Sequence, residues 1–417
     1  MKKQALSIVF LALLLFPLLI QMGAAATSDD WPMFHHDPTH SGSSTTAPAT
    51  SNNLLWNLTT GAPVGASAAI VDGKMYIPSN DGTVYCLNAV DGSQIWTYTL
   101  SHRAAISSSI AVAGGYAYFG SYDSRVYCID ASTGHEVWAF STGTSVQSSP
   151  AVADGRVYVG SWDGSLYCLD SMSGSEIWNY TTGGLVDSSP AVTNGYVYFG
   201  SADKNVYCLD ASTGNKIWSY TTGNTIQSSP AVVDGCVYIG SQDSNLYCLN
   251  AASGEKIWNS PIEGWVDSSP AVTNGYIYIG CGVSDNRPNR NVYCINATTG
   301  EKVWNYETND GVYSSPAVVG DYVYVGGWDG NVYCLSASTG ASVWTYTTQG
   351  NISSSPVLSR GVVYISSWDR QIYALGTSQQ TTTGIDTWVV AIVAVVLVAV
   401  AAIMVVILRK KSKRKTA

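Results

Sequence analysis

Four kinds of side chain in this 417-residue chain have the chemistry for a site: nine cysteines, a histidine cluster, regularly placed acids, and tryptophans within polar stretches. The stretch SWDGSLYCLDSMSGSEIW, residues 161–178, combines an aromatic–acid pair, a cysteine, a second acid and a closing tryptophan. In isolation it would suit a redox or metal centre. Nine cysteines in an exported chain ordinarily imply disulfides. Three of the five histidines fall in DWPMFHHDPTHSG, residues 30–42, where His36, Asp37 and His40 would be the ligands of a metal site. Against that, the segment is broken by prolines and has no regular spacing to aim the ligands.

The elements that must position these residues are set by a repeat. Tryptophans recur at 56, 96, 138, 178, 218, 258, 304 and 344, with spacings of 40 in all but two intervals. Between them runs a unit such as SSPAVADGRVYVGSWDGSLYCLDSMSGSEIW, which divides into four β-rich runs: SSPAV, RVYVG, SLYCLD and SEIWNY. The first turn is a two-residue Asp-Gly or Asn-Gly (154–155, 194–195, 234–235, 274–275), a strong hairpin signal. Four antiparallel strands per repeat of about 40 residues define a propeller blade. The run around Trp56 precedes any complete unit, and the last unit (354–376) lacks a tryptophan strand, so the first should complete the last blade. The expected fold is all-β, an eight-bladed β-propeller over 54–376 with four antiparallel strands per blade.

Within a blade, the small-residue SSPAV run suits the narrow inner edge, where proline removes no ladder bond, and the tryptophan run suits the wide outside. A four-residue loop at 161–164 would set Tyr158 opposite Tyr167, and likewise Tyr198 opposite Tyr207 and Tyr238 opposite Tyr247.

The ends of the chain point to export and anchoring. Residues 1–26 read as a signal peptide, with two lysines, an apolar run and a small-residue site at Ala24–Ala26. Trp388–Leu408 is 21 residues without a charge, enough for one transmembrane helix, and 409–417 is basic. Basic flanks stay cytoplasmic, so the expected topology is single-pass type I, with the propeller extracellular at the cell membrane. Residues 27–53 form an N-terminal extracellular segment and 377–387 a linker. Between the two apolar segments, 12 basic residues face 29 acidic ones, a balance near −17 that argues against nucleic acid or anionic lipid as partner. Sequons at Asn57, Asn179, Asn296 and Asn351 are the glycosylation candidates.

The run from Cys168 to Trp178, with Asp170, Ser173 and Gly174 between, resembles the tryptophan-docking motif Ala-x-Asp-x-x-Thr-Gly-x-x-x-Trp of quinoprotein-type, PQQ-like propellers. The resemblance extends over roughly residues 30–376 and recurs seven times with full spacing. It implies the propeller fold, in a superfamily holding both PQQ-dependent dehydrogenases and non-catalytic scaffolds such as the lipoprotein of the β-barrel assembly machine. The chain is most similar to short PQQ-like repeat proteins of prokaryotic surfaces. Trp-Pro-x-Phe…Asp…Gly near residue 31 resembles a segment that precedes such rings and packs against them. The dehydrogenases use an adjacent-cysteine disulfide, a calcium held by carboxylate and amide, and an aspartate base. This chain has no Cys-Cys pair, and no catalytic residue can be placed. No cofactor is therefore expected, PQQ with calcium being the alternative.

The repeat also reassigns the reactive-looking residues. Cys86, Cys128, Cys168, Cys208, Cys248, Cys294 and Cys334 share one repeat position, where Ala374 stands in the eighth blade. Adjacent blades lie about 10 Å apart, too far for a bridge, so these seven read as packing residues. Cys236 and Cys281 remain as candidates for reactivity. Asp130, Asp170 and Asp210 read as turn caps. Asp163 reads as turn chemistry with Asp81, Asp123, Asp203, Asp243, Asp329 and Asp369.

Variation gathers at one end of the ring, where the second hairpin turns and the loops leading into each blade meet. Tyr122, Trp162, Trp328 and Trp368 stand in second turns and Trp265 in a leading loop, as expected of a binding surface. Gln147, Asp187, Gln227, Asp267, Tyr313 and Ser353 precede the inner runs and should rim the axial channel, where a small ligand or cation would fit. The expected function is a membrane-anchored extracellular scaffold that binds a protein or glycan. A PQQ-dependent oxidoreductase and a surface-layer component are the alternatives.

Overall fold

A computed structural model describes residues 30–282 and 289–377. The expected signal peptide, transmembrane helix and basic tail lie outside those residues, as does most of the linker. Thirty-two of the strands form eight four-stranded antiparallel units, seven in sequential order and the eighth taking its outer strand from Leu54–Thr59, while Ser43–Ser44 adds a short parallel pairing to Ala317–Val319. Blade 3 is representative, with strands Ala151–Ala153, Arg156–Gly160, Ser165–Asp170 and Glu176–Thr181. The three-residue strands meet their counterparts around the axis and the tryptophan strands lie outermost. The first turn is the expected two-residue hairpin, with both Asp154 (φ 50°) and Gly155 (φ 73°) left-handed as a type I′ turn demands.

The second turn differs from expectation and corrects the register. The loop is three residues, Trp162-Asp163-Gly164, because Gly164 adopts φ 88° and lets the Ser161 N–H reach the Ser165 carbonyl at 2.9 Å. Lys204 and Ser244 take the same conformation in blades 4 and 5. Tyr158 therefore faces Cys168, while Val159 faces Tyr167; in the next two blades Phe199 faces Tyr207 and Ile239 faces Tyr247. A one-residue slip exchanges the faces of every side chain. Tyr158 and Tyr167 consequently serve different interfaces. Tyr158 lies beside Trp178 and donates its hydroxyl to the Ala211 carbonyl of blade 4 at 3.2 Å. Tyr167 donates to Asp163 at 2.8 Å and packs on Phe140 of blade 2.

Each tryptophan joins its blade to the next. A bulge between Cys168 and Leu169 re-aims the outer strand, and the Trp178 indole donates to the Ala211 carbonyl at 3.1 Å. The ring lies against Gly214, where a Cβ would come within 2.7 Å of it and φ is +73°, so glycine is required for both reasons. The second-turn acids join the same neighbours from the other side. Asp163 accepts from the Ser165 N–H, from Tyr167 and from the Gly143 N–H of blade 2. Asp130, Asp170 and Asp210 accept backbone N–H groups two and three residues on, so these acids cap turns.

The ring closes as the repeat arithmetic requires. Leu54–Thr59 pairs antiparallel with Gln371–Gly376, setting Trp56 opposite Ala374. Trp344 of blade 7, whose next blade is shared between the two ends of the chain, docks on the Ala49 carbonyl at 3.1 Å. Just before that seam, residues 31–47 wind around the axis at the Asp-Gly end. They exchange backbone bonds with Ile70, then receive N–H groups from Val112, Val192, Val232, Val272, Val318 and Gly361. Seven blades are bonded to this one segment; blade 3 is the exception. Its turns are tight: His35, His36, His40 and Gly42 are all left-handed.

All nine cysteines are free. The seven at the repeat position are buried, and burial pushes the Cys168 thiol up to about 12, far from the thiolate that reactivity requires. Cys281, expected as a reactive candidate, is fully buried, with its thiol pushed to about 12 by the same cause. It belongs with the packing residues, which leaves only half-buried Cys236 accessible.

Candidate ligand-binding cavity

The inner strands leave a channel along the axis lined by a ring of serines. The N–H of Ser67 donates to the hydroxyl of Ser109 at 3.0 Å, and each following blade repeats the bond. The last bond returns from the Ser355 N–H to Ser67 at 2.8 Å, so eight hydrogen bonds form a closed circle. Because every hydroxyl accepts, its own proton and second lone pair remain for whatever enters. At the Asp-Gly end the channel is shut by residues 31–47, with Phe34 as floor. At the opposite end it opens into a cavity of about 770 Å³.

This cavity gathers most of the residues singled out in the sequence. Gln147, Asp187, Gln227, Asp267, Tyr313 and Ser353 line it, as do Tyr122, Trp265, Trp328 and Trp368. Trp162 does not line it. Its indole N–H donates to Asp187 Oδ1 at 3.0 Å, and its ring meets Tyr122 edge-on at 5.7 Å. Trp162 is thus a positioning residue for the acid rather than part of the wall. The same relation recurs one blade on: Gln242 donates to Asp267 Oδ1 at 3.0 Å, as Tyr122 does to Gln147 at 2.9 Å. Each links a second turn to the rim residue 25 positions later, in the following blade. Ala202 has no side chain to reach Gln227, so this rim amide lacks such a tether. Trp368 donates to Ser353 at 2.9 Å, and Tyr313 packs on Trp328 at 4.7 Å.

Electrostatics single out two of these groups. Burial raises the Asp187 carboxyl above its usual range, the Trp162 bond opposing it. Burial raises Asp267 to about 6, partly offset by Gln242 and reinforced by the charge of Asp187. One oxygen of each carboxylate is engaged, and among the described residues no lysine, arginine or histidine lines the cavity. A group with its folded-state pKa raised stabilises fully below its unfolded value, near 4, and loses that contribution as pH rises through 6. Asp267→Asn, which removes the desolvated charge while keeping an acceptor for Gln242, should therefore stabilise the fold at pH 7.5 by about 2 kcal/mol. Near pH 4 the gain should vanish. Urea unfolding at the two pH values measures it; destabilisation at pH 7.5 would contradict the assignment.

The remaining sequence candidates lie elsewhere. His36 meets Asp37 at 3.3 Å, but Asp37 also accepts from Thr39 and Ser41, and His40 directs Nδ1 to the Pro230 carbonyl at 3.2 Å. Burial raises Asp37, yet the bonds from His36, Ser41 and Thr39 outweigh it and hold the carboxyl well below its usual range. Burial lowers His40 to about 4, keeping it neutral. Among the described residues no three metal-ligating side chains converge. Asn57, Asn179 and Asn351 are exposed, whereas Asn296 caps a turn through the N–H groups of Thr298 and Thr299.

Sequence reasoning passed over Phe34, Gln242 and the serine ring. The serine ring did leave a signal: Ser67 and Ser109 persist in blades 1 and 2, although the following proline has become Ala68 and Ile110.

Fold and cavity together define a class, the quinoprotein-type eight-bladed propeller with an axial pocket closed at one end. The chain belongs to the family described as outer membrane protein assembly factor BamB, whose model matches residues 44–127, 100–287 and 288–415. Among curated proteins none matches it in sequence. In structure it is similar to BamB from Moraxella catarrhalis, with a TM-score of 0.67 and 22% identity over 79% of this chain and 98% of that one. It is also similar to a europium-containing methanol dehydrogenase, with a TM-score of 0.73 and 15% identity over 87% of this chain and 100% of the other. The quinohemoprotein alcohol dehydrogenase from Comamonas testosteroni gives a TM-score of 0.71 at 15% identity, over 88% and 83% of the two chains. At these identities the likeness is one of fold.

Proposed function

We propose that the chain is a binding scaffold: a propeller tethered outside the membrane by residues 388–408, which engages a protein partner through its cavity-bearing end. The observation that carries this reading is the segregation of the ring's two ends. One end carries two-residue hairpin turns, Asp-Gly or Asn-Gly in five of eight blades, and is sealed by residues 31–47; the other concentrates large aromatic side chains around an open cavity. Trp328 and Trp368 are 37% and 48% exposed there, and aromatic residues on a rigid frame are the usual anchors of an interface. Membership in a family described as an assembly factor fits a scaffold role.

The oxidoreductase alternative fits the cavity poorly. PQQ carries three carboxylates, and the described lining offers Asp187 and Asp267 with no basic side chain among the described residues to receive them. No catalytic step is therefore assigned. A glycan partner is an outcome of the test, as is self-association into a surface layer. The full chain should be affinity-purified from native membranes beside a Trp328→Ala/Trp368→Ala variant. A protein recovered with the wild type and reduced several-fold with the variant supports the scaffold reading. Recovery of the same proteins in equal amounts, or of glycan or further copies of the chain alone, overturns it.

A further inference from the structure

We propose that the axial cavity receives an organic cation, an alkylammonium or guanidinium group, held by Asp187 and Asp267 within the aromatic mouth. The proposal deepens the binding role assigned to this end and rests on that reading. Three independent features converge. The first is charge: two carboxylates sit on blades 4 and 6, and among the described residues no basic side chain lines the cavity. Each carboxylate has one oxygen engaged, by Trp162 or Gln242, and its second oxygen has no donor among the described residues. A half-buried carboxylate without a counter-charge is costly, and an entering cation reduces that cost. The second is the wall. Tyr122, Trp265, Tyr313, Trp328 and Trp368 surround the opening, and aromatic faces attract organic cations by about 0.5–2 kcal/mol each. The third is size and donor geometry. About 770 Å³ is far more than a metal ion needs, and no three metal-ligating groups converge among the described residues. An anion would meet the two carboxylates. The serine ring is neutral and can donate or accept, so it leaves the sign to the acids.

Such a cation arrives either as a small free amine or as a lysine or arginine side chain of a protein partner, and the contacts at the carboxylates are the same. The full chain in detergent should be titrated, by calorimetry and tryptophan fluorescence, with choline, spermidine and the capped tripeptides Gly-Lys-Gly and Gly-Arg-Gly. Glutarate serves as the anionic control. At least one cationic probe should bind, and Asp187→Asn/Asp267→Asn should weaken it by about tenfold or more. The thermal midpoint of that variant reports that the ring remains folded. Binding of choline or spermidine marks a free amine as the source; binding of the tripeptides alone marks a polypeptide. Failure of every cation, equal binding by the variant, or equal binding of glutarate overturns the proposal. If partner recovery still depends on Trp328 and Trp368 while every cation fails, only the cation assignment falls. If choline binds and no partner is recovered, the docking role falls and the receptor stands.

Discussion

Trp218→Ala should destabilise the ring by about 3–5 kcal/mol, the range for deleting a large buried aromatic side chain. The residue is 8% exposed and belongs to the outer strand of blade 4, yet what it holds is blade 5. Its indole donates to the Ala251 carbonyl at 2.9 Å and lies over Gly254, with Tyr198 at 6.0 Å on the other side. Truncation loses the apolar contact, leaves a cavity between the blades and removes one of the two donors of the Ala251 carbonyl, the other being the Tyr198 hydroxyl at 3.2 Å. Trp218→Phe keeps most of the ring and loses the donor, so it should cost less than the alanine change, with about 1–2 kcal/mol of the loss due to the bond. Urea denaturation monitored by circular dichroism separates the two. A loss below about 1 kcal/mol for the alanine variant would mean that the indole does not carry the interface.

Proline at both Asn57 and Leu58 should be more damaging than the same pair at Ser219 and Tyr220. The two sites are equivalent in register: Asn57 faces Tyr373 and Leu58 faces Ile372, as Ser219 faces Tyr207 and Tyr220 faces Val206. Adjacent N–H groups on an edge strand point to opposite sides, so one of each pair is lost from the ladder. Proline also fixes φ at about −65°, away from the extended value of the strand. In blade 4 the damage ends there, because the chain continues into blade 5. At the seam the broken ladder is the longer of two strand pairings between the N-terminal and last parts of the chain, the other being the two-residue pairing of Ser43–Ser44 with Val318–Val319, and loop-closure entropy is released as it opens. The seam variant should lose more in thermal midpoint and expose its last blade to protease cleavage. Equal losses at the two sites would show that the closing strand contributes no more than any other outer strand.

Both predictions concern residues whose roles were legible early. The forty-residue period, the type I′ turns and the unmatched strands at the two ends specify eight blades and the seam, because each is a local backbone demand or a count along the chain. The cysteines and repeated acids could be discounted as chemistry for the same reason: a position filled in nearly every blade serves what the blades share. The second turn shows where counting fails. Whether a hairpin holds three or four residues depends on one residue adopting a left-handed conformation, as Gly164 and Lys204 do, and nothing in the apolar pattern distinguishes the two registers when both strand faces are buried.

The site was legible only as a set of positions. Alternating Gln147, Asp187, Gln227 and Asp267 could be placed on a rim, and the aromatic loop residues at the same end. That Trp162 serves Asp187, and Gln242 serves Asp267, depends on the placement of neighbouring blades, 25 residues apart in sequence. That Phe34 is the floor depends on a segment whose bonds reach from Ile70 to Gly361. The chain by itself determined the repeat, its number and its closure, since these follow from patterns within one blade. Only the tertiary structure decided which carboxylates stand half-buried at the cavity, without a counter-charge among the described residues, and which aromatic side chains line it with them. Burial and charge balance belong to no single blade; they arise from what eight blades bring to a common axis.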